Sequence, residues 1–417
     1  MKKVRFMRGA LALLAGAAMM LAACGDDNGG GNPEPELPDV PEKPAIPADA
    51  VDLSAKGTAN CYIVAPGTTA VFDAACKGNS ATESVGEATG AKLVWQSDAS
   101  LIAQTSYFPD ERKIVVETGD KRGNAVVAAV DAAGNILWSW HLWVVDYDPA
   151  ASLFTTAPNA SGTTWSFMDR NLGALTVERG SFDSNGMLYQ WGRKDPFPGT
   201  TTFTVMREDY TYEVDGEPTV YDGDGRELPK FSSMKEFHGT IGKSVRNPMV
   251  FYAMTYRHTG ELDEYGDEIV ENDYRTGDWV DVSDDDYWGG ESHRKTIYDP
   301  CPVGYKVPVC DADGNTPYAW LTYDAMKWDD ANRGCEQEGQ WFPTTGTRAY
   351  ASGSLDYPEG GNPYSGLWIG TKGKASADLE QNPALYGQYM FIINGKRTFK
   401  VNKDKRSQGM SLRCVKE

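Results

Sequence analysis

The sequence predicts a mainly β protein with long loops. Short apolar runs separated by turn-forming residues recur from residue 51 to residue 148, at the spacing of strands in a sandwich. Aromatic residues are also abundant, with 21 tyrosines and 12 tryptophans in a chain that is only 41% hydrophobic. Aromatic side chains with a polar tip suit both half-buried strands and binding surfaces.

The first 23 residues have the order of a secretory signal peptide. Four basic residues within the first eight precede an apolar run from Gly9 to Ala23. That run is too short for a membrane span, which needs about 20 apolar residues. We therefore predict that residues 1–23 are removed from the mature chain.

Cys24 follows Leu-Ala-Ala directly, and Gly-Asp-Asp comes after it. The segment resembles the lipobox of bacterial lipoproteins, which implies cleavage before Cys24 and acylation of its thiol and its new amino group. Two or more acyl chains anchor a protein stably where one does not. The acidic residues that follow are similar to the export tag of Bacteroidota surface lipoproteins. The alternative is ordinary secretory cleavage that leaves Cys24 as a thiol.

Residues 24–50 are predicted to form the lipid anchor and a stalk. Glycines follow the anchor, and five prolines from Pro35 to Pro47 then recur at every third residue. Polyproline II has three residues per turn, so these prolines line one edge of a stiff rod. The chain also carries a net charge of −19, and a chain this acidic repels nucleic acid, which we exclude as a partner.

Residues 51–150 are predicted to form a β-sandwich-like domain. Its strand candidates include NCYIVAP, TAVFDA, AKLVWQS and RKIVVET, and DAAGN between two strong apolar runs predicts a hairpin turn. His141 lies within WSWHLWV. It is either a ligand-binding side chain or a strand residue packed among tryptophans, and we favour the second interpretation.

The character of the sequence changes from residue 160 onward, where four distinctive sequence blocks follow one another. They are Asp169-Arg170-Asn171-Leu172-Gly173, Tyr189-Gln190-Trp191-Gly192, Asp299-Pro300-Cys301-Pro302 with Gly304 and Pro308, and Arg413-Cys414-Val415. Residues 160–417 resemble the Fibrobacter succinogenes major paralogous domain of exported bacterial proteins, and the preceding β-domain looks like its neighbour in Bacteroidota surface lipoproteins. The resemblance implies an α+β C-type-lectin-like module with long loops, akin to the formylglycine-generating enzyme. It implies no established activity.

Six cysteines remain besides Cys24, and an even number in an exported chain suggests disulfides. A bridge between Cys301 and Cys414 would tie the start of a C-terminal module to its last strand. The predicted pairs are Cys301–Cys414, Cys61–Cys76 and Cys310–Cys335. The alternative is that some of them are buried thiols, because cysteine packs as a small hydrophobic residue.

Clustered carboxylates can supply the oxygen ligands of calcium, so calcium is the one possible cofactor. An acidic, turn-rich insertion spans about residues 203–295, and DADGN starts at residue 311. DADGN does not continue as an EF-hand, because Thr316 stands where the glycine of the sharp turn is required. A solvated acidic loop is the alternative for both clusters. The candidate ligands are Asp281, Asp284, Asp285, Asp286, Asp311 and Asp313.

Motifs of enzymes are missing from the sequence. It contains four histidines and no HExxH, GxSxG or P-loop pattern, so we predict that the protein is not an enzyme. Binding has better support, because the segment from Gly346 to Trp368 spaces aromatic residues through glycine, serine and proline. The alternative for Trp368 is packing beneath the loop. The candidate binding residues are Arg348, Tyr350, Asp356, Tyr357, Tyr364 and Trp368.

Together these features predict an outer-membrane lipoprotein that faces the cell exterior. Its expected role is that of a non-enzymatic adhesin or recognition protein for glycan, host matrix or another extracellular protein. The first alternative is a fimbrial subunit or tip component with pilus partners. The second is an accessory protein or hydrolase of a polysaccharide-uptake system.

We expect Cys24→Ala to move the protein from the membrane fraction to the soluble exported fraction, because the variant lacks the acylated thiol. Immunoblotting of fractionated cells measures this change. Cys76→Ala is the matched control, since it leaves the lipobox intact and should stay with the membrane. Retention of the Cys24 variant in the membrane would contradict the lipoprotein prediction.

Overall fold

A computed structural model describes most of the chain after the predicted stalk. The described residues are 45–201, 203–205, 212–214, 217–237, 239–253, 256–266, 268–272, 277–356, 363–373 and 386–417. The predicted signal peptide, Cys24 and Tyr357 lie outside them. Within these ranges the fold is mainly β, as predicted, and no helix there is long and apolar enough to cross a membrane.

The first part of the described chain is a sandwich of two four-stranded sheets. Its strands are β1 (Val51–Asp52), β2 (Cys61–Val64), β3 (Thr69–Asp73), β4 (Gly90–Gln96), β5 (Ile102–Phe108), β6 (Lys113–Thr118), β7 (Gly123–Val130) and β8 (Ile136–Val144). One sheet has the order β1-β3-β6-β5 and the other β2-β8-β7-β4. Both sheets contribute to one apolar core, with Phe72 and Ile114 from the first and Val127 and Trp140 from the second.

The turn DAAGN joins β7 to β8, as the sequence predicts. Asp131 Oδ1 accepts the backbone N–H of Ala133 and of Asn135, and the backbones of Asp131 and Asn135 are hydrogen-bonded to close the loop. The fourth residue is a glycine with φ of +82°, a conformation that costs other residues free energy. The same loop recurs in the second part of the chain at residues 159–163, 222–226 and 311–315.

The second part of the described chain contains shorter strands in several sheets. They are β9 (Phe154–Thr155), β10 (Ser166–Phe167), β11 (Met187–Gln190), β12 (Phe197–Pro198), β13 (Phe203–Val205), β14 (Tyr212–Val214), β15 (Lys235–Phe237), β16 (Phe251–Ala253), β17 (Tyr256–Leu262), β18 (Glu268–Asn272), β19 (Tyr305–Lys306), β20 (Lys327–Asp329), β21 (Gly334–Gln337), β22 (Gln340–Pro343), β23 (Thr347–Arg348), β24 (Leu355–Asp356), β25 (Tyr364–Lys372), β26 (Tyr386–Ile393), β27 (Thr398–Lys405), β28 (Gly409–Ser411) and β29 (Val415–Lys416). The helix α1 (Ile241–Arg246) begins after Thr240, whose Oγ1 accepts the N–H of Lys243.

The largest sheet of the described residues runs β12-β11-β28-β25-β26-β27, with β23 paired to β28 and β24 paired to β23. A second sheet has the order β19-β29-β10-β9. The antiparallel pairs β13–β14 and β17–β18 lie within the acidic insertion. The strands β28 and β29, close together in sequence, therefore occupy interior positions of two different sheets.

The two predicted domains share one core. Residues 45–417 form a single compact unit, and one apolar cluster contains Trp95 and Trp143 of the sandwich together with Leu188, Trp191 and Trp368 of the second part. Separating the two parts would expose these large side chains to water. Burial of such a side chain contributes about 1.5–3 kcal/mol.

Buried polar contacts also cross this shared boundary. The amide nitrogen of Asn60 donates to the carbonyls of Ile297 and Asp299 at 2.7 and 2.8 Å. Ser139 Oγ donates to Asp195 Oδ1 at 2.6 Å. A buried polar group that loses its partner costs about 1–3 kcal/mol, so these bonds oppose any separation of the two parts.

The predicted disulfide Cys301–Cys414 is present, with the two Cα atoms 6.0 Å apart. Asp299 shapes the segment around it, because its two carboxylate oxygens accept the N–H groups of Cys301 and Val307. The ammonium group of Lys295 fills the same turn and donates to the carbonyls of Cys301 and Pro302, among others. Burial raises the pKa of Asp299 to about 6, and the charge of Lys295 opposes that shift.

The predicted pairs Cys61–Cys76 and Cys310–Cys335 are wrong, since none of these four residues is in a disulfide. Cys61 lies on β2, whereas Cys76 follows β3 in the opposite sheet. Cys310 Sγ lies 3.6 Å from Gln388 Oε1, and Cys335 is buried on β21. The alternative of buried thiols holds for Cys61, Cys310 and Cys335. Burial raises the pKa of the Cys335 thiol to about 12, so this thiol is unreactive at neutral pH.

We expect the double variant Cys301→Ala/Cys414→Ala to lose about 2–5 kcal/mol of unfolding free energy, because its unfolded chain gains the entropy of an open loop. The disulfide closes a sequence separation of 113 residues. Urea unfolding of the full-length chain measures the change. Cys76→Ala, which removes a half-buried thiol outside any disulfide, is the control with a small expected effect. Equal stability of wild type and double variant would contradict the prediction.

Candidate functional site

A cleft of about 240 Å³ opens where the sandwich meets the second part of the chain. We call it the seam cleft. Its walls contain residues from both parts, so neither part forms it alone. The lining residues come from segments 97–98, 122–124, 173–175, 182–187, 198–201 and 218–220.

Closely packed backbone forms one wall of the seam cleft. A Cβ atom at Gly199 would lie 2.9 Å from the carbonyl oxygen of Gly186, and one at Gly186 would lie 2.7 Å from that of Leu172. Gly186 also has a φ of +76°. Any larger residue at these two positions would push the segments apart, and the cleft would lose its shape.

The rim of the cleft carries two carboxylates and one guanidinium group. Asp98 accepts a hydrogen bond from Lys121 Nζ at 2.7 Å, and this bond is the main reason that its pKa is lowered. Arg122 donates to the carbonyl of Leu175 and lies 3.9 Å from a carboxylate oxygen of Asp183. Arg122 and Asp183 are each about half exposed, so both remain accessible to a ligand.

Thr200 is the unusual residue of the cleft. It is 1% exposed, and its Oγ1 has no hydrogen-bond partner among the described residues. Its carbonyl, by contrast, accepts a bond from Asn185 Nδ2 at 3.0 Å. A buried hydroxyl without a partner costs about 1–3 kcal/mol. Any ligand atom that bonds this hydroxyl would therefore recover that free energy.

Apolar groups complete the cleft. Phe182, Leu175 and Met187 line it together with the prolines at 198 and 218. One face of the Phe182 ring is covered by Arg333, whose guanidinium carbon lies 4.7 Å from the ring centre. The cleft thus combines small apolar surfaces with hydrogen-bonding groups, which is the pattern of small-molecule sites.

Buried hydrogen bonds connect Asn124 and Gly173, which line the cleft, to His141 and Tyr189. Asn124 Nδ2 donates to the carbonyl of Gly173 at 2.9 Å, and its Oδ1 lies 2.9 Å from His141 Nε2. The other ring nitrogen of His141 lies 3.4 Å from the hydroxyl of Tyr189. Burial lowers the pKa of His141 to about 3, so the ring is neutral. The interpretation of His141 as a packed strand residue is therefore correct.

The segment predicted to bind a ligand is mostly core. Arg348, Tyr364 and Trp368 are at most 4% exposed. Trp368 Nε1 donates to the carbonyl of Tyr189 at 2.7 Å, and Arg348 donates to the carbonyl of Pro198 and forms an ion pair with Glu217. The prediction that these three side chains are presented to a ligand is wrong, because long-range packing covers them.

The remaining binding candidates lie nearer the surface. Tyr350 is partly buried, and the ammonium group of Lys405 lies 4.2 Å from its ring centre. Asp356 is exposed on β24. Neither residue lines the seam cleft, and Tyr357 lies outside the described residues. Their role as ligand contacts stays a prediction.

The carboxylates of the DADGN loop are hydrogen-bonded within the protein. Asp311 Oδ1 accepts the N–H groups of Asp313 and Asn315, and its Oδ2 accepts a bond from Asn159 Nδ2 at 2.7 Å. Asp313 accepts a bond from Ser161 Oγ at 2.6 Å. Bonds from Asn315 above all lower the pKa of Asp311 to about 2. Its carboxylate oxygens thus join two loops of the same type.

The second acidic cluster is also bonded to donors of the protein. Asp285 forms ion pairs with Arg406 and Lys372. Asp286 Oδ1 accepts two backbone N–H groups, and Asp284 Oδ1 accepts that of Asp286. Asp281 is exposed at the start of this loop. Across the described ranges, no group of three or more His, Cys, Asp or Glu residues is placed to hold a metal ion.

The seam cleft is the feature that sequence analysis missed. Its residues belong to six segments, and the only local signal is the spacing of glycines at 173, 186 and 199. No protein-family model, curated protein or solved structure matches the chain. The lectin-like fold and the family resemblance therefore stay predictions.

Proposed function

We propose that the protein is a non-enzymatic recognition protein whose seam cleft binds one sugar residue of a glycan. The observation that carries this proposal is Thr200, a residue of the cleft lining whose buried hydroxyl has no hydrogen-bond partner in the described part of the chain. A ligand rich in hydroxyl groups can both donate to and accept from such an atom.

The chemistry of the walls favours a sugar over an apolar ligand. The carboxylates of Asp98 and Asp183 accept hydrogen bonds from hydroxyl groups, and Arg122 donates them. The apolar surface of Phe182 suits the C–H face of a sugar ring. Pockets for drug-sized ligands occupy about 300–1,000 Å³. A cleft of about 240 Å³ therefore fits one small unit rather than an oligosaccharide.

A catalytic role has weaker support in the same cleft. A general acid needs a pKa near the working pH, whereas Lys121 holds the pKa of Asp98 below its ordinary value. Asp98 is therefore ionised at neutral pH and serves better as a hydrogen-bond acceptor. Release of free sugar from a bound polysaccharide would instead favour the hydrolase alternative.

The cellular location in this proposal comes from the sequence. A lipid on Cys24 and a proline-rich stalk would hold the compact unit away from an outer membrane, facing outward. Recognition of glycans on host matrix, on extracellular protein or on other bacteria fits such a position. The acidic net charge repels nucleic acid, which disfavours it as a ligand.

We expect the full-length chain to bind at least one glycan on an array of neutral and acidic sugars, and Thr200→Val to weaken that binding roughly tenfold or more, because it removes one buried hydrogen bond. Titration of the selected glycan by calorimetry measures the loss. Thr105→Val is the matched control, since its hydroxyl is also buried without a partner in the described residues but lies outside the cleft. Equal affinity of the Thr200 and Thr105 variants would contradict a role for the cleft.

A fimbrial role remains the second candidate, and one observation favours it. The edge strand β1 contains two exposed residues and pairs in parallel with Ala70 and Val71 of β3. Loss of β1 would uncover the backbone of β3, and an open edge accepts a strand from another chain. Ladders of subunits after proteolytic removal of residues 1–52, with no glycan binding, would favour this candidate.

A further inference from the structure

Strand β5 is an edge strand of the first sheet of the sandwich, at the opposite end from β1. It pairs with β6, and no strand lies on its other side among the described residues. An open edge presents backbone N–H and C=O groups to strands of other chains. Proteins therefore protect such edges with charged side chains, proline, bulges, short length or a covering segment.

The other edges of the sandwich have such protection. Pro302 forms a bridge with Cys61 of β2, and Tyr221 forms a bridge with Gln96 of β4, so the second part of the chain covers these edges at those points. Strand β4 also carries the exposed Lys92, and β1 is only two residues long.

Strand β5 has much less protection than these strands. It has seven residues, IAQTSYF, with no charged residue and no proline among them. Its one irregularity lies between Ile102 and Gln104, and the pairing with β6 is regular from Gln104 to Phe108. Within the described ranges, β5 is therefore the edge of the sandwich that is most open to another strand.

The hydrogen bonds of β6 show which backbone groups of β5 face outward. The N–H of Thr118 donates to the carbonyl of Thr68 on the β3 side, whereas the N–H of Gly119 donates to the carbonyl of Leu101 on the β5 side. Successive residues of a strand bond toward opposite sides. Residues 113, 115 and 117 of β6 therefore bond toward β5.

These three residues lie opposite residues 108, 106 and 104 of β5. The N–H and C=O groups of the residues between them, Thr105 and Tyr107, therefore point away from β6. No backbone hydrogen bond to these outward groups is found in the described part of the chain. The N–H of Ile102, by contrast, donates to Gln96 Oε1 at 2.8 Å. The open edge is therefore the last part of β5.

This open edge is complementary to itself. In an antiparallel pair with Ser106 opposite Ser106 of a second copy, Thr105 lies opposite Tyr107 of that copy. The outward groups of these two residues then form four hydrogen bonds between the copies, because each directly opposed pair exchanges two. Threonine opposite an aromatic residue is also a favourable cross-strand pair.

The distribution of charge favours a second copy as the occupant. The chain has a net charge of −19, so its copies repel each other over most of their surface. Residues 102–108 carry no charge, and this pairing places no like charges opposite each other within the paired strands. Because salt screens the remaining repulsion, association through this edge should become tighter as the salt concentration rises.

We propose that β5 pairs antiparallel with β5 of a second copy, across a twofold axis at Ser106. The two four-stranded sheets then join into one sheet of eight strands. The same patch is used on both copies, as a twofold-symmetric dimer requires. None of residues 102–108 lines the seam cleft, so this inference is independent of the proposed function.

The test is sedimentation equilibrium of the full chain in the Cys24→Ala background, so that no lipid anchor contributes to association. We expect a monomer–dimer equilibrium that tightens with salt. Thr105→Pro should weaken dimerisation at least tenfold, because it removes an outward N–H and leaves the bonds to β6 in place. Thr105→Val is the matched control, since it keeps that N–H and should dimerise like the parent chain.

A second pair of variants tests the position of the twofold axis. Ser106→Lys places two like charges opposite each other and should also weaken dimerisation at least tenfold. Ala132→Lys is its matched control, because it adds the same charge at an exposed position of the turn between β7 and β8. It should not weaken the dimer. Unchanged thermal unfolding of Ser106→Lys excludes loss of fold as the cause.

Three results would overturn the proposal. The first is a parent chain that stays monomeric at every protein and salt concentration. The second is a dimer that neither Thr105→Pro nor Ser106→Lys weakens, which would place the interface on another surface. The third is an equal loss in Thr105→Pro and Thr105→Val, which would assign the effect to the side chain rather than to the backbone edge.

Discussion

The shared interior of residues 45–417 is the constraint on which the rest of the structure depends. Trp95 and Trp143 enter it from the sandwich, and Trp191 and Trp368 enter it from the second part. Hydrogen bonds from Asn60 and Ser139 then fix how the two parts meet. The seam cleft lies at this boundary, and its lining contains residues from both parts. A ligand bound there would contact both parts and would stabilise their association.

Local patterns predicted the features that local interactions determine. The strands of the sandwich follow apolar runs, and the DAAGN turn follows from an Asp that bonds its own backbone two and four residues ahead. The disulfide Cys301–Cys414 was predictable because both residues lie in recognisable sequence blocks. Cys61 and Cys310 lie in none of these blocks, and the pairs predicted for them are wrong.

The candidate site could not be predicted from the sequence, because it is a product of long-range packing. Glycine, serine and tyrosine between residues 346 and 368 have the composition of an exposed binding loop, yet Tyr364 and Trp368 belong to the central strand β25. Thr200 has no unusual sequence context, and its significance comes from what surrounds it in the fold. Similarly, the carboxylates of Asp285 and Asp311 look like cation ligands until their bonds within the protein are known.

The interior positions of β28 and β29 have a consequence for how the chain reaches its folded state. Residues 409–411 lie between β11 and β25, and residues 415–416 lie between β10 and β19. β11 and β10 are synthesised more than 200 residues before their partners β28 and β29. They cannot pair with these strands until the partners have left the ribosome. The two sheets that contain β28 and β29 therefore cannot be completed before residue 416 has emerged. Such a delay suits any chain that must pass through a translocation pore before it folds.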